Sequence, residues 1–218
     1  MKRTLSRLLV ITLTFVFAFL PSNVTSHAYD SENNKNSSDY YLVITDPETE
    51  STWEWALNDT DEGVECIERQ VGSDKGENIM LKEIEVDATP YLEQTIKSTS
   101  KEWLSASHKS GVKIKTSFQY SVNVKKNTVR MYKTKGSTTN YGNYYASNRH
   151  TTWRNPGAGV GGSKYPSSSS WTYTITSTEG TYYYQNPPFS FAECRVNITG
   201  MTAYRNISIL CSLSGGLQ

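Results

Sequence analysis

Residues 112–124 alternate apolar and polar side chains over 13 positions, a pattern that only an extended chain converts into one dry and one wet face. Val112, Ile114, Phe118, Tyr120, Val122 and Val124 fall on the dry side; Lys113, Lys115, Ser117, Gln119, Ser121 and Asn123 fall on the wet side. The spacing predicts a long strand with one buried face, turned by Lys125-Lys126-Asn127 into a second strand over 128–133. Shorter β-branched or aromatic runs predict strands at 40–44, 51–56, 63–68 and 79–86. They are separated by the turn signals Asp46-Pro47, Asn58-Asp59, Gly72-Ser73 and Lys75-Gly76. Residues 171–176 and 182–184 read as a hairpin about Glu179-Gly180, and 189–191 lead into a strand around Cys194. One helix is expected over about 90–106, with Thr89 as its cap, Pro90 at its first position, and Leu92, Ile96 and Trp103 on one face. The sum is a mainly β chain, an antiparallel β-sandwich or irregular β-barrel with at most one short helix.

Lys2, Arg3 and Arg7 precede an apolar run over 8–20, and Ser26-His27-Ala28 follows with small residues two apart, the layout of a secretory signal peptide. At 13 residues the run falls short of the roughly 20 that a spanning helix needs. Residues 1–28 are therefore expected to be removed, leaving a secreted, extracellular protein. Its flexible polar lead is expected at 29–39 and a single β-rich domain at 40–218. Richness in Lys, Asn, Tyr, Ser and Thr suggests a low-GC Gram-positive bacterium. In a secretory eukaryote Asn36, Asn58, Asn197 and Asn206 would be glycosylation acceptors.

Charge is sharply divided along the domain. Residues 29–95 hold 18 acids against four bases, whereas residues 96–218 hold 15 bases against three acids. Three arrangements accommodate this: halves that neutralise one another inside one fold, an acidic part that masks a basic one, or an acidic lead attached to a basic domain. Export implies an oxidising compartment, and the three cysteines, Cys66, Cys194 and Cys211, allow one bridge. Segments 194–198 and 207–211 both alternate, and a hairpin that sets Cys194 opposite Cys211 would make that pair the disulfide, with Cys66 and either of the others as the alternative.

Residues 136–170 lack strand periodicity and are rich in Ser, Thr, Asn, Gly and Tyr, so they read as a long loop of the kind that carries function in compact domains. Tyr141, Tyr144, Tyr145, Arg149, His150, Trp153 and Arg154 lie there with no acid among them, and are the candidate ligand-binding residues. Tyr and Trp stack on sugar rings or settle at a lipid headgroup boundary, and Arg meets anions. Gly157-Ala158-Gly159-Val160-Gly161-Gly162 satisfies the dinucleotide fingerprint only formally, since neither a strand before it nor a helix after it is indicated, and reads as a flexible glycine loop. Asn58-Asp59-Thr60-Asp61-Glu62 offers oxygen ligands without EF-hand spacing and reads as a structural turn. No Cys-x-x-Cys pair occurs, His108 and His150 lie in no nucleophile motif, and Glu102, Glu179 and Glu193 stand isolated among bases. No metal, cofactor or nucleic acid is expected.

These features point first to a secreted non-enzymatic binding protein that contacts a cell-envelope glycan, an anionic wall polymer or another polyanion through the basic, Tyr-rich stretch. A membrane-active toxin or bacteriocin-like protein that inserts the hairpins 112–133 and 171–184 into an anionic membrane surface is the alternative. A hydrolase whose site follows no familiar pattern comes after it.

Overall fold

The computed structural model describes residues 38–96, 110–176, 179–198 and 202–214. The leader, the lead up to residue 37, and the expected helix beyond residue 96, with His108, lie outside the described residues. The strands are β1 (Tyr40–Asp46), β2 (Ser51–Leu57), β3 (Val64–Asp74), β4 (Glu77–Asp87), β5 (Gly111–Asn123), β6 (Thr128–Tyr141), β7 (Tyr144–Asn155), β8 (Val160–Lys164), β9 (Ser170–Thr174), β10 (Gly180–Thr181), β11 (Phe189–Ile198) and β12 (Tyr204–Ser212), with α1 (Thr89–Ile96) between β4 and β5. They form two antiparallel sheets in the manner of a sandwich. One has the order β2-β1-β12-β11-β7-β8; the other has the order β10-β6-β5-β4-β3, with β9 on the same edge of β6 as β10.

The alternation that announces β5 places Val112, Ile114, Phe118 and Tyr120 in the core, where they meet Val129 and Met131 of β6 and Leu42, Ile44, Ile207 and Ile209 of the facing sheet. The apolar phase of the 112–133 hairpin is thus consumed by the fold itself. Polar side chains also cross the interior: Ser190 Oγ on β11 lies 2.8 Å from Thr116 Oγ1 and 2.7 Å from Thr134 Oγ1 of the other sheet, all three residues being buried. Each buried hydroxyl gains a partner there, which removes a desolvation cost of about 1–3 kcal/mol per unsatisfied group. At α1, Leu92 and Thr95 are fully buried and Tyr91 meets Trp55 edge-on at 5.2 Å. Asp87 accepts from the Thr89 backbone N–H, so the residue that satisfies the start of the helix is Asp87 rather than the expected Thr89.

The division of charge is resolved by strand pairing. The acidic half supplies β1 and β2 to one sheet and β3 and β4 to the other, and β4 pairs along its length with β5 of the basic half. Lys115 Nζ lies 3.1 Å from Glu83 and 2.8 Å from Glu85, and Lys113 reaches Glu85 at 3.7 Å. The acidic part is integral to both sheets and is not a removable mask.

Several expectations fail in instructive ways. Residues 136–170 are not a loop: they form the end of β6, all of β7, a 3-10 turn at Pro156–Ala158, and β8. The inward phase there is filled by Gly136, Thr138, Thr151 and Asn155 as well as by Tyr144, Ala146 and Trp153, so the apolar signal is diluted. The glycine run is not free either, because Trp153 lies over Gly162 and stacks on Tyr173 at 5.4 Å. The expected 171–184 hairpin does not form, since β9 and β10 each pair with β6 and not with each other, and residues 182–184 lie beyond β10. The β11–β12 hairpin does form, but with Cys194 opposite Ile207 and Cys211 opposite Ser190. That register is four residues from the expected one, about 13 Å along a strand, too far for a disulfide. Cys66, Cys194 and Cys211 are all free thiols.

A Cβ at Gly162 would stand 2.2 Å from the Trp153 ring, whereas one at Gly72 would meet nothing nearer than 3.7 Å. Gly162→Ala is expected to lower unfolding free energy by about 1–3 kcal/mol in a denaturant titration, and Gly72→Ala by much less. Equal effects would show that the Trp153 packing is not as described.

Candidate functional site

The seven residues expected to form one binding surface are divided by the pleat of β7. Tyr144 is 1 % exposed and Trp153 8 %, both facing the core. Arg149 is drawn inward by a bulge: Asn148 adopts a positive φ of 45° where the β11 register skips between Glu193 and Arg195. Its guanidinium donates to Thr138 Oγ1 at 2.6 Å and to the Ala146 carbonyl at 2.9 Å. Tyr145, His150 and Arg154 alone share the outer face of the sheet, while Tyr141 lies at the end of β6 with its ring over Gly111.

His150 sits in a polar trio. Its Nε2 is 2.7 Å from Ser163 Oγ, its Nδ1 is 3.4 Å from Glu193 Oε2, and its ring stacks on Tyr165 at 4.6 Å. Hydroxyl, imidazole and carboxylate in that order can activate a nucleophile. This trio stands on the open face of a sheet, however, and the clefts described next are lined by other residues. Its evident effect is to fix the imidazole beside Tyr165.

The convergent site lies instead on the inward phase of β3 and β4. Val64 and Cys66 are followed by Glu68, and Met80 by Lys82, Ile84 and Val86; Glu68 and Lys82 are direct partners across the two strands. Lys82 is 3 % exposed. Its Nζ is bonded to the Asp39 carboxylate, lies 3.4 Å from Glu68 Oε2, and stands 5.5 Å above the Tyr40 ring. Tyr120 O–H donates to the other Glu68 oxygen at 2.5 Å, and Ser214 O–H donates to Asp39. Two adjoining clefts, of about 660 and 490 Å³, share Asp39, Glu68 and Lys82 as a common wall.

The electrostatics of this wall are set by burial and by the two carboxylates. Burial works to lower the Lys82 pKa, but the hydrogen bond and charge of Asp39, with the charge of Glu68, outweigh it and hold the ammonium above its ordinary value. Burial pushes the Cys66 thiol up to about 11, with Asp59 adding to the effect. Burial likewise raises the phenols of Tyr40 and Tyr120, the latter helped by its bond to Glu68. At neutral pH the cleft therefore presents a charged donor, two neutral phenols and an unreactive thiol. None of these four side chains changes its protonation state near pH 7.

Motif and spacing mark none of Asp39, Tyr40, Glu68 and Lys82 as a site residue; Cys66 enters only as a disulfide alternative and Tyr120 only as an inward position of the 112–124 strand. The available signal was phase: Lys82 and Glu68 occupy positions where the alternation of their strands demands apolar side chains, and a charge there needs a buried partner. The Asn58–Glu62 segment acts as a turn, with Asp61 Oδ2 accepting from the Asn58 N–H at 2.8 Å and Asn58 Oδ1 accepting from Thr60. No family model matches the chain, and no curated protein or solved structure matches it either.

Cys66 titrates from a reference of 9.0 to about 11 in the folded state, so folding favours its protonated form. Lys82, also raised, favours its protonated form too. The Cys66 contribution is complete below pH 9 and is lost as pH rises through about 11, whereas that of Lys82 is complete below 10.5 and is lost only above it, so the denaturation midpoint should fall as pH rises from 9 to 11. A midpoint unchanged from pH 8 to 11 would contradict the assignment.

Proposed function

We propose that the protein is an exported, non-enzymatic binding protein that holds an uncharged, polyhydroxyl segment of an envelope glycan in the Lys82 cleft. The observation that carries this reading is the fixed pairing of a charged donor, Lys82, with two charged acceptors, Asp39 and Glu68, on one wall of a cleft. Lys82 is buried and holds the two carboxylates in place, so the group open to a ligand is Glu68, which accepts from a sugar hydroxyl and repels an anion. Glu68 keeps 44 % of its side-chain surface open, which leaves its lone pairs reachable. Asn78 and Asn123 line the larger cleft with further amide groups, and Met80, Val122 and Leu213 give it an apolar side against which a ring face can lie.

The lining is also acidic, with Asp39, Asp59, Glu68 and Glu77 around the two clefts against Lys82 and Lys125. Such a wall favours an uncharged glycan over the anionic wall polymer that the basic composition of residues 96–218 suggests. Export itself rests on the leader pattern of residues 1–28.

The test is retention of the purified protein on peptidoglycan stripped of its anionic polymers, at low and high salt. Retention is expected to survive both the stripping and the salt, and Glu68→Gln with Tyr120→Phe is expected to weaken it about tenfold or more. Retention that vanishes with the anionic polymers or with salt would instead assign binding to a basic surface.

A further inference from the structure

Three turns converge at one end of the second sheet. The 3-10 turn at Val124–Lys126 joins β5 to β6, Lys75-Gly76 joins β3 to β4, and the turn that follows β10 begins at Tyr182. The pairing of Gly180 with Val129 and of Thr181 with Thr128 continues into a hydrogen bond from the Tyr182 N–H to the Asn127 carbonyl at 2.9 Å. The Tyr182 carbonyl in turn accepts from Asn127 Nδ2 at 3.4 Å, so the turn that carries Tyr183 and Tyr184 leaves from beside the end of the Val124–Lys126 turn. A further backbone bond, from the Asn186 N–H to the Tyr183 carbonyl at 3.0 Å, closes that turn.

What this end shows to solvent is unusual for its side chains. Val124 is 62 % exposed, Tyr183 54 % and Tyr184 50 %, and Lys75, Lys125 and Lys126 are exposed with them. The acids of the same end are turned back toward the sheet. Glu77 accepts from Ser121 and Asn123, Asp74 meets Arg130 at 3.5 Å and Tyr132 O–H at 3.3 Å, and Glu179 meets Arg130 at 3.7 Å and Lys126 at 3.9 Å. The cations and apolar groups are the more exposed, while Asp74 and Glu179 keep 36 % and 31 % of their side-chain surface and Glu179 stands 3.9 Å from Lys126.

We propose that this tip docks the protein on an anionic lipid surface, with Val124, Tyr183 and Tyr184 at the headgroup boundary and Lys125 and Lys126 on the lipid phosphates. Tyrosine suits that boundary because its ring is apolar and its hydroxyl wet. Lysines near an anionic bilayer each strengthen attachment about fivefold. A bilayer accounts for the protruding valine, which a soluble polyanion would leave in water. The binding is peripheral: the strands behind the tip keep their apolar faces in the core, as Phe118, Val129 and Met131 show. Val124 and Lys125 also line the mouth of the larger cleft, so docking by the tip would hold that cleft close to the bilayer surface.

The experiment is co-sedimentation of the purified protein with phosphatidylglycerol-containing vesicles, with phosphatidylcholine vesicles, and separately with soluble polyphosphate. Binding is expected to phosphatidylglycerol vesicles and to be far weaker to phosphatidylcholine. Lys126→Glu, at a residue that lines neither cleft, should lower it about fivefold or more. Tyr183→Ser with Tyr184→Ser should lower it about tenfold or more, with the thermal midpoint and peptidoglycan retention unchanged in both variants. No binding to anionic vesicles, or binding that both variants leave intact, overturns the proposal. Binding that the apolar variant leaves intact and that polyphosphate matches overturns it in favour of a polyanion surface. Because Lys126, Tyr183 and Tyr184 lie outside the lining of both clefts, failure here leaves the glycan reading standing, and loss of peptidoglycan retention alone leaves this one standing.

Discussion

An ammonium placed on the apolar phase of β4 obliges the fold to bring carboxylates to it. Lys82 is nearly fully buried, and an unpaired charge there would cost several kcal/mol. Glu68 answers from the neighbouring strand of the same sheet; Asp39 answers from the entry to β1 in the facing sheet. The pair of contacts ties the two sheets together at one margin, where the interior is polar and opens into the clefts. Tyr40, Tyr120, Ser214 and Cys66 then collect around the same three groups, and burial is the first cause of the raised pKa values of the two phenols and the thiol.

The same logic operates on a larger scale in the division of charge along the chain. Acidic and basic halves are not separate bodies, because β4 and β5 are hydrogen-bonded neighbours and their outward side chains form the Lys113, Lys115, Glu83 and Glu85 cluster. Surface pairs of this kind contribute little individually, about 0–1 kcal/mol, yet they spare the sheet the repulsion that a row of like charges would create. The buried counterpart is Arg205 with Asp46 at 2.9 Å, which joins the last strand to the first acidic one.

The β5 strand, its turn and the strands β1, β2 and β4 were legible because most of their inward residues are apolar, the alternation being interrupted only by single polar positions such as Thr116 in β5 and Lys82 in β4. β7 and β8 were not, since Thr151, Asn155 and glycine sit where apolar side chains would announce a strand, and the bulge at Asn148 and Arg149 shifts the phase midway. Register was the second blind spot. A slip of four residues keeps every side chain on its own face, so the alternation of 194–198 and 207–211 could predict the hairpin but not the opposition of Cys194 to Ile207. The candidate site was hidden for a different reason: Asp39 is far in sequence from Glu68 and Lys82, and only the pairing of β1 into the facing sheet brings it there.

The proposed binding role requires the central amine of the cleft to be a charged group and not a reactive base. Nitrogen-detected NMR of the Lys82 side chain across a pH titration measures that charge directly. The ammonium signal is expected to persist beyond the ordinary lysine value of 10.5 and to shift when polymer-free wall glycan is added. A Lys82 amine that loses its proton near neutrality, or an ammonium indifferent to the glycan, would contradict the assignment of this cleft to binding.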